Sequence, residues 1–338
     1  MTLPAVELLR AGRDLASSEM TDAMRAIMSG QAQESDIADL LVLLRQKGES
    51  VGEIVAAARV LREHGVRTAS DHPEWLDTCG TGGDASRTLN VSTIASFLCA
   101  AAGARVAKHG NRSVSGVCGS ADLLEALGVP MDAGAQKIER GIAEVGWGFL
   151  FAPLYHPAVK HAMAARKRVG GKTVFNLIGP LSNPTGAGHH LLGVYSRPLV
   201  RAFAEALKEL GCVSALIVHG EDGLDEISIS APSVYAELSG GQIREGRLEP
   251  EDVGIRRVPL DVLRVADAED ASRLALDILG GASGPASDIV CLNAGAGLRA
   301  AGLAPSIAEG YRRIVAVQRN GGGLNKLQQV RDYYGSAA

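Results

Sequence analysis

With 338 residues, 46% of them hydrophobic and both charge signs mixed, the chain has the composition of a folded globular protein with material for two domains or one large one. A net charge of −4 carries no footprint for nucleic acid or an anionic membrane, and aromatics at only 4% argue against base-stacking platforms. The five cysteines (Cys79, Cys99, Cys118, Cys212, Cys291) are odd in number and lack CxxC spacing, so they read as reduced thiols and not as a disulfide framework or a zinc site.

Residues 1 to about 66 read as helices. Leu3, Val6, Leu9 and Leu15 recur at roughly helical spacing. Thr21 is expected to open TDAMRAIMSG, with Gly30 as its stop; Ser35 is expected to cap SDIADLLVLLRQKG. Ser50 with Glu53 three residues on forms a capping box for the next helix. Four short helices without a strand make a small lobe, and apolar surface left over on such a lobe commonly makes a dimer contact. The N-terminus carries acidic residues and no cationic start before an apolar run, and no stretch reaches the ~18 apolar residues of a membrane helix, so a cytoplasmic, soluble protein is expected.

From Trp75 the pattern changes to short apolar runs alternating with helical ones. WLDTCG, ARVAKHG, GFLFAPL, HLLGVYS, SALIVHG and DIVCLNAG are expected strands. Between them lie VSTIASFLCAAAG, SADLLEALG, KIERGIAEVG, RPLVRAFAEALKELG and DASRLALDILGG as helices. The expected fold class is α/β: a small N-terminal helical domain (1–70, joined by a helix within about 157–185) plus a larger α/β domain (71–338) with a mostly parallel central sheet flanked by helices. The basic run HPAVKHAMAARKRVG returns toward the helical lobe and would bring Arg166 to the cleft between them.

In such a sheet, ligands sit beyond the carboxyl ends of the strands. There the chain places Gly80-Thr81-Gly82-Gly83-Asp84, then Asn90-Val91-Ser92-Thr93, then Lys108 to Gly116 closed by Gly119-Ser120-Ala121-Asp122. Glycines admit positive φ and close approach to backbone N–H groups, which suits anions. With Lys108 and Arg112 in the same loop, the pattern points to a multiply charged phosphate compound. Two GxGxxA matches, at Gly80 and Gly295, lack the acidic residue about 20 positions on that a dinucleotide site wants. The P-loop pattern is absent. Cys79 and Cys118 flank the loops, either as reactive thiols or as small buried hydrophobes. The acidic turn His219-Gly220-Glu221-Asp222-Gly223-Leu224-Asp225-Glu226 is a solvated turn on its own; beside a phosphate loop it reads as a magnesium site.

Taken together, GTGGD, NVST, KHGNRSVS, GSAD, FAPLYHPA, FNLIGPLSNP, LLGVY and HGEDGLDE resemble the anthranilate phosphoribosyltransferase family over nearly the whole chain, in family order. The resemblance implies transfer of phosphoribose from phosphoribosyl pyrophosphate to the amine of anthranilate in tryptophan biosynthesis. It also implies a homodimer, Mg2+ (two ions per monomer), and the nucleoside phosphorylase class of fold. By motif, Gly80, Gly83, Asp84, Thr88, Asn90, Val91, Ser92 and Thr93 would hold phosphoribosyl pyrophosphate. Lys108, His109, Gly110, Asn111, Arg112, Ser113, Val114, Ser115, Gly116 and Ser120 would complete that site. Ser92, Asp225 and Glu226 would serve the metal, and Gly80, Asn111 and Arg166 would contact anthranilate. Lys108, His109, Asn111 and Arg166 would carry the catalysis, His109 either taking a proton from the amine or only donating a hydrogen bond. His156 either lines the acceptor tunnel or starts a helix. Ala85 and Gly116 depart from the family's usual Gly and Ser; the lost hydroxyl at 116 predicts weaker phosphate affinity with the same reaction. The rival readings are a related transferase or phosphorylase with another acceptor, and a non-catalytic nucleic-acid-binding relative.

Overall fold

The structure is a computed structural model that describes residues 3–82, 88–112 and 118–336. It opens with α1 (Pro4–Arg10), α2 (Ser17–Met28), α3 (Glu34–Lys47) and α4 (Val51–Glu63). Two of the expected starts move. α2 begins four residues before Thr21, because the Glu19 side chain reaches back to accept the Ala16 N–H at 2.8 Å. α3 begins at Glu34, so Ser35 lies within its first turn and caps nothing. The capping box of α4 forms as expected: Ser50 Oγ accepts the Glu53 N–H at 3.3 Å and Glu53 Oε2 accepts the Ser50 N–H at 2.7 Å. Glu53 is fully buried, and it is satisfied further by the Leu15 N–H and by Lys47 Nζ, both at 2.9 Å. One carboxylate thereby ties three segments of the lobe.

The α/β part follows as β1 (Leu76–Gly80), α5 (Val91–Ala101), β2 (Val106–Gly110), α6 (Ser120–Ala126), α7 (Ala135–Val145) and β3 (Trp147–Phe151). A short helix, α8 (Ala152–Tyr155), leads into a 3-10 turn (Pro157–Ala162), then α9 (Met163–Val169) and α10 (Val174–Ile178). The expected basic helix is thus broken in two, and its pieces pack on α2 and α3, with α10 on α4. β4 (His189–Gly193), α11 (Pro198–Glu209) and β5 (Ser214–Gly220) return to the sheet.

The sheet runs β3-β2-β1-β4-β5, all parallel, and continues into an antiparallel hairpin of β6 (Ser233–Ser239) and β7 (Gln242–Leu248). The hairpin was not among the expected strands, although Gly240 and Gly241, both at positive φ, mark its two-residue turn. The chain ends in α12 (Ala268–Leu279), α13 (Pro285–Ala300), α14 (Ile307–Arg319) and α15 (Gly322–Gly335). The expected strand DIVCLNAG is the middle of α13, because an apolar run buried on all sides has no period that separates strand from helix. The second GxGxxA match therefore lies inside a helix and opens no phosphate loop.

α5, α7 and α13 cover one face of the sheet; α11 covers the other, and its core runs on without a break into the helices α2 to α4. Among the described residues no helix is long and apolar enough to cross a membrane.

Glycines set the closest helix contact. α13 and α14 cross where Gly295 and Gly310 meet backbone to backbone, and a Cβ on either would overlap the other helix's main chain. Gly310→Ala should lower the unfolding free energy by about 2 kcal/mol through overpacking, read as a drop in the urea midpoint. Gly335→Ala, at the open end of α15, should leave it unchanged.

Candidate active site

The carboxyl ends of β1, β2, β4 and β5 meet on one side of the sheet, and a missing side chain decides how closely. Gly193, the last residue of β4, lies against the main chain of the acidic turn: a Cβ there would overlap the Asp225 carbonyl. Gly80, at the end of β1, is equally bare, since a Cβ would stand 2.8 Å from Asp225 Oδ2. The turn thereby delivers two carboxylates to the glycine loop. Asp225 Oδ2 accepts the Gly82 N–H at 2.8 Å, and Glu226 Oε1 accepts the N–H of Ser92, in the first turn of α5, at 3.1 Å. An acid at a helix start is where the helix dipole favours it.

The acidic turn splits its labour. Asp222 accepts the Ser228 hydroxyl at 2.5 Å and the Leu224 N–H at 3.3 Å, so it shapes the turn. Glu221 pairs with Arg247 at 3.2 Å on the surface, and His219 Nδ1 bonds the Val194 carbonyl at 2.8 Å. Of four carboxylates that looked alike in sequence, two face the glycine loop.

Strand alternation sends neighbouring residues of β2 to opposite faces. Lys108 is 1% exposed, with Nζ on the Thr78 carbonyl at 2.5 Å and 3.4 Å from Ser92 Oγ, beneath the start of α5. Burial lowers its pKa, opposed chiefly by the nearby Asp77. Arg112, expected in the same phosphate site, has its guanidinium over the Phe151 ring, 5.9 Å from the centroid, and pairs with Asp122 at 2.9 Å and Glu125 at 2.7 Å on α6. The two cations hold different ground: one beneath α5, one above α6.

Asn90 links the loops by donating Nδ2 to the Cys118 carbonyl at 2.9 Å, while its Oδ1 and the Thr93 Oγ1 are buried without a hydrogen-bond partner among the described residues. Asn111 Oδ1 accepts the Arg112 N–H at 2.8 Å, and its carbonyl accepts the Ala121 N–H at 3.2 Å. Gly110 packs against Ser120, where a Cβ would come within 3.1 Å of the serine Cβ. Val91 is buried at the first position of α5, and Thr88 bridges to Arg264. Gly83, Asp84, Ala85 and Ser113 to Gly116 lie outside the described residues.

On the opposite face of β2, the His109 ring meets His156 edge-on at 5.1 Å, and its Nε2 has no partner among the described residues. Burial drives its pKa down to about 3, with His156 and Lys108 adding to the effect, so the imidazole is neutral at neutral pH. Arg166 comes from α9, its guanidinium 5.1 Å over the Phe175 ring; burial lowers its pKa, and among the described residues no carboxylate pairs with it.

Sequence reasoning passed over Asp77 and Asn183. Asp77 is fully buried and accepts the His109 N–H at 3.0 Å; burial raises its carboxyl to about 6. Asn183 Nδ2 donates to the Ala107 carbonyl at 2.8 Å, so both residues fix the strand that carries Lys108 and His109. The signal was present: an acid inside an otherwise buried strand, and an asparagine in a matched motif without a role. Asp77, Cys79 and His190 also bring ligand atoms within 4.8 Å of one another. Burial pushes the Cys79 thiol well above its ordinary range. Cys118 is likewise pushed up to about 11, so both loop cysteines hold their protons at neutral pH.

The pattern of the glycosyl transferase family helical bundle domain matches residues 3–65, and that of the glycosyl transferase family a/b domain matches residues 72–324. The anthranilate phosphoribosyltransferase of Alkalilimnicola ehrlichii is 51% identical over 324 residues, 96% of each chain. That of Methylococcus capsulatus is 48% identical over 331 residues, 98% of this chain and 97% of the relative. Among solved structures, anthranilate phosphoribosyltransferase from Thermus thermophilus superposes with a TM-score of 0.92 at 41% identity, covering 98% of this chain and 99% of that one. The Saccharomyces cerevisiae enzyme in complex with PRPP and Mg gives 0.91 at 26% identity, covering 99% and 98%. Fold, strand-end glycine loops and full-length identity near one half converge: the chain belongs to the anthranilate phosphoribosyltransferase family.

Proposed function

We propose that the cleft at the strand ends transfers phosphoribose from phosphoribosyl pyrophosphate to the amine of anthranilate, releasing pyrophosphate, in tryptophan biosynthesis. The observation that carries this reading is the pair of hydrogen bonds from Gly82 and Ser92 to Asp225 and Glu226, which joins a phosphate-type glycine loop to two carboxylates. The donor set fits magnesium: two carboxylates and the Ser92 hydroxyl offer the oxygen ligands that a hard cation takes. Asp225, Glu226 and Ser92 would hold the Mg2+, two ions per monomer. When bound, the metal would offset the charge that builds on the departing pyrophosphate.

An aromatic amine is a weak nucleophile, so the bond from ribosyl C1 to pyrophosphate oxygen breaks ahead of the new C–N bond. Catalysis then rests on alignment and on charge stabilisation of the leaving group. Gly80, Gly83, Asp84, Thr88, Asn90 to Thr93, Lys108 to Gly116 and Ser120 bind phosphoribosyl pyrophosphate. Asn90 Oδ1 and Thr93 Oγ1, without a partner among the described residues, are polar atoms that a bound substrate would satisfy. Arg166, unpaired and planar, receives the anthranilate carboxylate on its fork, with Gly80 and Asn111 also contacting the acceptor. Neutral His109 accepts a hydrogen bond from the amine; a ring that protonates only near pH 3 does not keep the proton, which the amine nitrogen gives up to the released pyrophosphate. The domain division falls at residues 70 and 71, with the 157–185 segment joining the helical part. The enzyme works as a cytoplasmic homodimer through its helical domain.

Mixing enzyme, phosphoribosyl pyrophosphate, magnesium and anthranilate should quench anthranilate fluorescence, and a chelator should stop the loss; no loss with folded enzyme would point to another acceptor. Arg166→Ala should raise KM for anthranilate by roughly 10- to 100-fold, the loss of one charge-assisted contact, and leave KM for phosphoribosyl pyrophosphate within about twofold. An equal rise in both would put the acceptor elsewhere. Asp225→Asn with Glu226→Gln should abolish turnover while the thermal transition persists; magnesium-dependent activity in that variant would remove the metal assignment.

A further inference from the structure

Arg166 and the glycine loop belong to different parts of the fold, and a short run of contacts joins them. The helix that carries Arg166, α9, ends at Val169, and Gly170 and Gly171, both at positive φ, turn the chain sharply. Arg45 of α3 fixes that turn. Its Nη1 donates to the Gly170 carbonyl at 2.8 Å and to the Lys172 carbonyl at 3.4 Å, and a Cβ at Gly171 would stand 3.3 Å from the same nitrogen. The helical lobe therefore sets where Lys172 begins.

The Lys172 side chain leaves the lobe: Nζ lies 3.4 Å from the centroid of the Tyr195 ring, just past the end of β4. Tyr195 is half-buried; burial raises its phenol pKa, and the carboxylate of Glu49, which follows α3, adds to the effect. The ring is neutral, and the negative face of such a ring attracts an ammonium, the more so where water is partly kept away.

The Tyr195 backbone reaches the donor side of the cleft. Its N–H donates to Thr81 Oγ1 at 3.1 Å, and the Thr81 N–H donates to the Gly193 carbonyl at 2.9 Å. Thr81 is buried, and the next residue is Gly82, whose N–H is held by Asp225. Thr81 is thus the fixed end from which the glycine loop leaves β1. Neither Lys172 nor Tyr195 is among the substrate contacts proposed above.

We propose that Lys172 and Tyr195 are positioning residues whose contact holds α9 in register with the glycine loop, so that anthranilate at Arg166 and a diphosphate at Gly82 raise each other's affinity. The inference rests on the substrate assignments made above. Either ligand seats the lobe against the strand ends and so prepares the other's site, and coupling of this kind is reciprocal.

Magnesium pyrophosphate, the leaving group of the reaction, does not react with anthranilate, so the two can be titrated together. Isothermal titration of anthranilate into wild-type enzyme should give a Kd at least about fivefold lower with saturating magnesium pyrophosphate than without it. Tyr195→Leu and Lys172→Gln should each bring that ratio to about one while each ligand alone still binds, and the double variant should lose no more than either single one. Tyr195→Phe and Lys172→Arg keep a ring face and a cation, and should retain the ratio. If Tyr195→Leu folds poorly, Lys172→Gln with its arginine rescue carries the test. A ratio of one in wild type that binds both ligands, an unchanged ratio in Tyr195→Leu and Lys172→Gln, or additive losses in the double variant would overturn the coupling and leave the substrate assignments standing. Wild type that binds neither ligand would remove both.

Discussion

The bare backbone at Gly193 governs the geometry of the strand ends. Parallel strands splay their following loops apart, yet the turn after β5 must come back across β4 to reach β1. It does so only because position 193 has no side chain, which lets the Asp225 main chain lie directly on the strand end. From that contact follow the reach of Asp225 to Gly82 and of Glu226 to Ser92. The coupling runs both ways. A loop that received no acid would keep unsatisfied N–H groups at a helix start, and a turn held off the sheet would carry its acids into solvent.

Much of this was legible beforehand because the chemistry is local. Strand, loop and helix alternate with the right turn residues, so the five parallel strands announce themselves, as does the Ser50–Glu53 box. What failed was nonlocal. Whether a uniformly apolar run such as Asp288–Gly295 is helix or strand depends on what surrounds it, and here α5 and α14 surround it. Strand β7, with its mixed charges, offered no apolar alternation to read. The ion pairs of Arg112 lie beyond sequence reading too, since Asp122 and Glu125 become its partners only once α6 has formed. The same limit hid Asp77, whose role exists through a backbone N–H that the sequence does not distinguish from any other.

Burial sets the electrical character of the cleft more than partner charges do. Lys108, His109, His156 and His190 all lose affinity for protons because water is excluded, and Asp77 gains it for the same reason. Neutral imidazoles and a protonation-prone carboxyl leave a region of low net charge next to a loop that must accept a highly charged substrate. In such surroundings a charge brought in by a ligand is felt strongly, because little solvent screens it. A fixed, poorly hydrated frame also has little to reorganise as charge moves from ribosyl bond to leaving group.

At the level of the gene, the crossing of α13 and α14 is a place where the code offers no gentle change. Every amino acid reached from a glycine codon by altering one base carries a Cβ, and at Gly295 or Gly310 that atom has main chain in its way. Third-base changes are silent; all others meet the same wall, whatever the chemistry of the incoming side chain. Drift at these two positions is therefore confined to synonymous exchange unless a compensating shift of one helix arrives first.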